Sequence, residues 1–299
     1  MINLHRALNN DRLLRALTGL NRQAFDELLP VFTAAWQAHR QAQPRQRAPG
    51  GGQANKARLS SMAEKLFYIL FYFKGYPTFE VAGVLFDFDR SQANRWMHRL
   101  QSILEAALGR TMALPERKLE RIEQFLQRYP EVKEVMIDGT ERPIARPKDQ
   151  QRQKEHYSGK KRRHTRKHLA VVDEGKRVLV LTQARAGKVQ DKRLLDEEEI
   201  VQGIPDEIVI AVDLGFLGLQ KESDNIEMPH KKPRGGSLSD EQKRENREKS
   251  RRRVRCENAF AGVKRYRIVS DVYRNRVTNF DDRSMLTATG LWNFYLMAA

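Results

Sequence analysis

The chain has 299 residues, with Lys+Arg 55 against Asp+Glu 38, a formal net charge of +17 and a pI near 10.1. That length allows one large domain or two to three smaller ones, and so basic a chain calls for a polyanionic partner, nucleic acid first. One cysteine, Cys256, excludes an internal disulfide framework and fits a reducing compartment, while the longest apolar runs, LFYILFYF and LWNFYLMAA, fall short of the roughly 20 residues that cross a bilayer.

In chain order, residues 1–42 read as helical: Leu13, Leu14, Leu17, Leu20, Phe25, Leu28, Leu29 and Phe32 recur at helical spacing. The start, MINLHRALNNDRLLRAL, is an amphipathic helix broken by charges rather than a signal peptide, so a cytoplasmic, nucleoid-associated location is expected. QPRQRAPGGGQANKAR follows, a linker by its prolines and consecutive glycines.

Residues 59–108 hold three helices. SSMAEKLFYILFYFKGY stops at Gly75, TFEVAGVLF is the second, and DRSQANRWMHRLQSILEAAL is the third, with Asp89 and Gln92 at capping-box spacing. The order is that of a helix-turn-helix. Ala93, Trp96 and Leu100 would point inward. Ser91, Gln92, Asn94, Arg95 and Arg99 would point outward, and these residue types pair with base edges and phosphates. A plain three-helix bundle with a polar outer face has the same pattern.

From about residue 115 the texture changes. LPERKLERIEQFLQRYP reads as a charged helix; VKEVMID, HTRKHLAVVD, KRVLVLTQARAG and EIVIAVD read as strands. DKRLLDEEEIV, a long basic helix around 239–265 and DRSMLTATGLWNFYLM add helices, so the class is mixed α/β. Residues 219–238 are low in apolar content and read as a loop that orders on DNA.

Three acids stand out. Asp138 and Asp213 end apolar runs, and functional groups gather at the carboxyl ends of strands in α/β sheets. Glu257 lies on the long basic helix, whose start Ser239 and Gln242 would cap, and Arg253, Glu257 and Lys264 share one face of it. Grouped carboxylates repel unless a cation joins them, and hard cations such as Mg²⁺ take oxygen ligands. Taken singly, each acid also has an ordinary explanation: a turn aspartate before glycine, or a surface ion pair.

Four motifs in order resemble the DDE transposases of bacterial insertion sequences, in insertion sequence family five, related to PIF/Harbinger-type transposases. They are MIDGTERPI, HYSGKKRRHTRKH, VDLGFLGL and RRRVRCENAFAGVKRYRI. Their acids are spaced by 75 (213 − 138) and 44 (257 − 213) residues. Arg253, Glu257 and Lys264 match the arginine, glutamate and lysine of the family's third block. Ser250 stands where that block usually has tyrosine, and Phe216 where many members have tyrosine. The resemblance covers about residues 58–299.

It implies an α/β ribonuclease H-like catalytic domain preceded by an all-α helix-turn-helix region. Asp138, Asp213 and Glu257 would be catalytic and would hold two Mg²⁺ ions, with Mn²⁺ able to substitute. The implied reaction cuts transposon ends by hydrolysis and joins the freed 3′-hydroxyls to target DNA. The partners would be double-stranded DNA, as terminal inverted repeats and target, and further copies of the chain as a homodimer or larger assembly, with no membrane. The basic hairpin Lys160, Lys161, Arg162, Arg163, Arg166 and Lys167, with Arg253 and Lys264, would grip DNA; its interleaved histidines match no standard zinc spacing.

The expected domains are 1–57, an N-terminal helical region and linker; 58–112, the helix-turn-helix; and 113–299, the catalytic domain, with 219–238 an insertion loop. Two rivals share these features: a silent DNA-binding regulator derived from a transposase, and a ribonuclease H-like nuclease without strand transfer.

Overall fold

The computed structural model describes residues 2–42, 58–119 and 121–298. The glycine-rich linker, apart from Arg58 at its end, lies outside them. Two compact units emerge, one of Met1–Leu114, Lys264–Asp271 and Arg283–Ala299, the other of Pro115–Val263 and Val272–Asp282.

The first unit is helical. Its amino-terminal part holds α1 (Leu4–Leu8), α2 (Asp11–Thr18) and α3 (Arg22–Ala42). Leu14, Leu20, Phe25, Leu28 and Phe32 are buried, whereas Leu13, Leu17 and Leu29 are half-buried. Gly19 ends α2 at φ +82, where a Cβ would come within 2.9 Å of the Tyr266 ring, so only glycine fits there.

The helix-turn-helix region follows as α4 (Met62–Gly75), α5 (Phe79–Phe86) and α6 (Arg90–Arg110). Ser61 and Glu64 form a reciprocal capping box at the start of α4. Asp89 is the N-cap of α6, but its side chain makes no capping hydrogen bond, which corrects the expected capping box with Gln92. Tyr68 packs edge-on against Phe86, with centroids 4.9 Å apart, and its hydroxyl donates to the Ala93 carbonyl at 2.8 Å. One tyrosine thus locks α4 to both later helices.

The carboxy-terminal α11 (Arg267–Ser270) and most of α12 (Phe280–Met297) pack within this unit. The reason is apolar: Met285, Ala288, Leu291 and Phe294 are buried, and Asn293 donates to the Ala113 carbonyl at 3.0 Å.

The second unit is built on a mixed sheet. After α7 (Ile122–Arg128) come β1 (Glu134–Pro143), α8 (Gln150–His156), β2 (Tyr157–Ser158), β3 (Arg163–Asp173), β4 (Val178–Leu181), β5 (Arg185–Ala186), α9 (Asp191–Glu197), β6 (Val209–Ala211), β7 (Ile226–Glu227) and α10 (Asp240–Lys264). The sheet order is β2-β3-β1-β6-β7, with β4 and β5 also paired to β3. β1 runs antiparallel to β3, and β6 and β7 continue parallel to β1. An antiparallel start followed by parallel strands is the ribonuclease H-like order that the resemblance implies.

Alternation along β1 sorts its faces. Val135 and Ile137 join Leu169, Val171, Leu194, Leu195 and Ile210 in one apolar core. Met136, Asp138, Thr140 and Arg142 occupy the other face, level with Val172, Ala170, His168 and Arg166 of β3. The latter end of that face carries a buried polar network. Arg142 donates to the Asp281 carbonyl at 3.1 Å and lies 4.4 Å from the Tyr273 ring, Arg166 pairs with Asp281 at 2.9 Å, and Arg117 pairs with Asp282.

Residues 219–238 are not a bare loop, as the sequence suggested. They hold a 3₁₀ turn at Leu219–Lys221 and the edge strand β7. No helix among the described residues is long and apolar enough to cross a membrane.

Candidate active site and nucleic-acid surfaces

The register between β1 and β6 brings two of the acids together. Val135 faces Ile210 and Met136 faces Ala211, an offset of 75 residues; the same offset carried two positions further sets Asp213 level with Asp138. In parallel strands, level residues share a face. Asp138 does not end its strand, contrary to the sequence reading. β1 runs on to Pro143 against β3, whereas its pairing with β6 stops at Met136. Asp138 therefore sits where the sheet opens on one side only.

Burial raises the Asp138 carboxyl above its ordinary pKa, and the neighbouring Asp213 charge raises it further. The Gly139 amide, donating to Oδ1 at 2.7 Å, and the charges of Lys160 and Arg253 oppose this. Asp213 caps the Leu214–Phe216 turn by accepting from the Gly215 amide at 2.7 Å. Phe216, where many family members carry tyrosine, is fully buried in the core.

α10 lies against these acids. The predicted Ser239–Gln242 capping box is present, with both hydrogen bonds at 3.1 Å. Arg253 Nη2 is 3.8 Å from Asp213 Oδ2. Cys256 is buried; burial first, then the Asp138 and Glu257 charges, push its thiol pKa up. Glu257 is exposed one turn beyond Arg253, and Lys264 closes the helix two turns later. The structure thus pairs Asp138 with Asp213 and leaves Glu257 on the flank. Among the described residues no three carboxylate, histidine or cysteine side chains converge to hold a metal ion. The donor chemistry nevertheless suits a hard divalent cation: the Asp213 carboxylate is near enough for its charge to raise the Asp138 pKa, and the compensating positive charge comes from Arg253 and Lys160.

Behind Asp138, on the opposite face of β1, is a group centred on Asp191, which the sequence shows only as the amino-terminal residue of α9. Gly139 has no side chain, and a Cβ there would lie 2.9 Å from Asp191 Oδ1. Asp191 accepts from Lys167 Nζ at 2.7 Å, and Lys167 also donates to the Val189 carbonyl at 2.7 Å and lies 3.8 Å from Glu141. The only sequence signal of that contact was the glycine that follows Asp138.

That group corrects part of the basic hairpin. β2 pairs with the start of β3, and Lys160, Lys161, Arg162 and Arg163 form its exposed turn, as expected of a backbone grip. Lys167 is only 6% exposed and committed to Asp191, and Arg166 is held by Asp281 and the Ala184 carbonyl. The two are neighbours on β3 and point to opposite faces, and each is engaged by groups of this unit on its own face.

On the helix-turn-helix, Ser91, Gln92, Arg95 and Arg99 are exposed and Asn94 is half-buried. A groove of about 710 Å³ is lined by Phe79, Asp89, Arg90, Ser91, Asn94 and Arg95. Ala93 and Leu100 point inward as read, but Met97 takes the place expected for Trp96. Trp96 is half-buried and stacks on Trp36 at 6.1 Å.

Comparison with known proteins agrees with this layout. Residues 137–293 match the family model described as DDE superfamily endonuclease, and residues 57–110 match its companion, helix-turn-helix of DDE superfamily endonuclease. A protein of Microchaete diplosiphon described as "Probable transposase for insertion sequence element IS702" is 28% identical over 285 residues, 95% of each chain. No solved structure matches.

Proposed function

The chain belongs to the DDE superfamily endonucleases, and from that premise we propose that it is the transposase of a bacterial insertion sequence, of the family-five type. It cuts the element's ends by phosphodiester hydrolysis and joins the freed 3′-hydroxyls to target DNA. The observation that carries this reading is the level pairing of Asp138 with Asp213 at the opening of the sheet, with Arg253 and Lys160 beside them.

Each residue has a role in it. α6 binds the terminal inverted repeat through Ser91, Gln92, Asn94, Arg95 and Arg99. Lys160 to Arg163 and Lys264 hold phosphates of the bound strand, and Arg253 holds Asp213 while facing that strand. Asp138, Asp213 and Glu257 gather negative charge at the reacting phosphate, with Glu257 turning in from its flank when DNA arrives. Two Mg²⁺ ions, or Mn²⁺, bound by these acids would supply an activated water or 3′-hydroxyl and stabilise the leaving oxygen. In the first step water adds to phosphorus and the 3′-oxygen leaves as a hydroxyl; in the second that hydroxyl replaces water and displaces a target 3′-oxygen. Two ends must be handled together, so the working form is a homodimer or larger assembly acting in the cytoplasm.

The test is a joining assay with end DNA, a plasmid target and Mg²⁺. End fragments covalently joined to the plasmid support the reading. Cut ends that are never joined would leave a nuclease, and binding without cutting would leave a regulator.

A further inference from the structure

We infer that the amino-terminal half of α10 carries a second, sequence-indifferent phosphate track, made by Arg244, Arg247 and Arg251, for the duplex that runs past the cut. It rests on the DNA-directed reading above and adds a surface separate from both α6 and the basic hairpin.

The argument begins with where α10 is covered. Every buried residue of the helix lies at or after Cys256. Before that point, one side is strapped to the segment around β7. Arg252 pairs with Glu227 at 2.7 Å, Lys249 donates to the Met228 carbonyl at 3.0 Å, Asn246 exchanges hydrogen bonds with the His230 backbone at 2.7 and 3.1 Å, and Glu245 pairs with His230. Residues 245, 249 and 252 recur at helical spacing, so the strap occupies a single side.

The other side is bare and basic. Arg244, Arg247 and Arg251 recur three and four residues apart and are exposed. Among the described residues none of the three has a hydrogen-bond or ion-pair partner, while Arg252 and Arg253 next to them do. Residues 243–255 contain eight lysines and arginines against two glutamates, Glu245 and Glu248, so acids of the same helix cannot neutralise the stripe. Like charges four residues apart weaken a helix. Glu248, exposed four residues after Arg244 and three before Arg251, lies within the stripe, and the side the fold leaves open keeps a net positive charge. A shallow groove of about 480 Å³ beside it is lined by Lys243, Asn246, Arg247, Ser250 and Arg251, with Leu238 at its end. Guanidinium groups along a groove suit a phosphodiester backbone.

The direction of the stripe names the occupant. It runs down one helix to the turn of Glu257, about 21 Å from Lys243, which is the axial length of about six base pairs. A strand engaged at Glu257 would continue along it.

The experiment measures binding of the full chain without metal, as a function of salt, to two duplexes: one carrying the transposon end and one without it. Each phosphate contact contributes about 0.9 to the slope of log affinity against log salt. The variant Arg247→Ala/Arg251→Ala is expected to lower that slope by about two on both duplexes, and Arg247→Lys/Arg251→Lys to restore it. Arg95→Ala, by contrast, should weaken binding of end DNA alone. An unchanged slope in the alanine variant, or a loss confined to end DNA, overturns the track. Because cutting is not measured, a reduced slope in a protein that never joins DNA would sustain the track while the transposase reading fails.

Discussion

At the scale of single residues, the site depends on a missing side chain. Gly139 lets the Asp191 carboxylate press against β1 directly behind Asp138, where Lys167 holds it. In Gly139→Ala the new methyl, 2.9 Å from Asp191 Oδ1, must push the carboxylate off Lys167 or bend the strand. The expected cost is about 1–3 kcal/mol of stability, read as a lower urea midpoint, together with loss of cutting from the displaced Asp138. The acids were legible in the sequence because each follows an apolar run or sits in a basic helix. Their support was not, because Lys167, Asp191 and Glu141 meet only through strand register. Arg166 and Lys167 show a related effect: composition shows one basic run, but not where β3 carries it from the exposed turn to the part of the sheet covered on both faces.

At the scale of elements, the helix-turn-helix is the most readable part of the chain. Its three helices are local, and their caps and stops lie in the sequence that forms them. Trp96 was misplaced because its outlet, Trp36, is far away in sequence. The turn itself is tight. A Cβ on Gly83 would lie 2.7 Å from the Phe88 carbonyl oxygen, and the Phe88 amide donates to the Gly83 carbonyl at 2.9 Å. Gly83→Ala is therefore expected to pry α5 from α6. Binding should drop at least tenfold on end DNA in a gel-shift titration while binding to unrelated duplex changes little. Tyr68→Phe tests the lock between α4 and α6. Removing the hydroxyl takes one donor from the Ala93 carbonyl, which keeps its bond within α6, at a cost of about 0.5–1.5 kcal/mol, measurable by thermal melting.

At the scale of the whole chain, the carboxy terminus returns to the helical unit. Residues 283–297 follow the catalytic motifs, yet their apolar face completes the helical unit. Order along the chain carries no sign of that return. Truncation after Asp282 removes Met285, Leu291 and Phe294, each contributing about 1.5–3 kcal/mol by burial. Against a typical total of about 5–15 kcal/mol, the truncated chain should lose end-DNA binding and cooperative melting of the helical unit. Acid is a second lever. His168 is fully buried and donates through Nδ1 to the Thr182 carbonyl at 2.9 Å. Burial lowers its pKa to about 4, so it is neutral in the fold and Asp282 at 3.8 Å is not its ion partner. The unfolded chain takes up a proton near pH 6.5 and the folded chain does not, so stability is full above that pH and declines as pH falls towards 4. Between pH 7.5 and 5 the loss should be about 2 kcal/mol in urea unfolding, and His168→Gln should flatten it.

The central claim is that Asp138, Asp213 and Glu257 act as one site although only the first two meet in this structure. The most direct measurement is single-turnover cleavage of labelled end DNA with Mg²⁺, comparing the native chain with Glu257→Gln at matched DNA occupancy. The account predicts unchanged binding and a cleavage rate at least a hundredfold lower. Cleavage by Glu257→Gln at the native rate would contradict it and reduce Glu257 to a surface residue of α10.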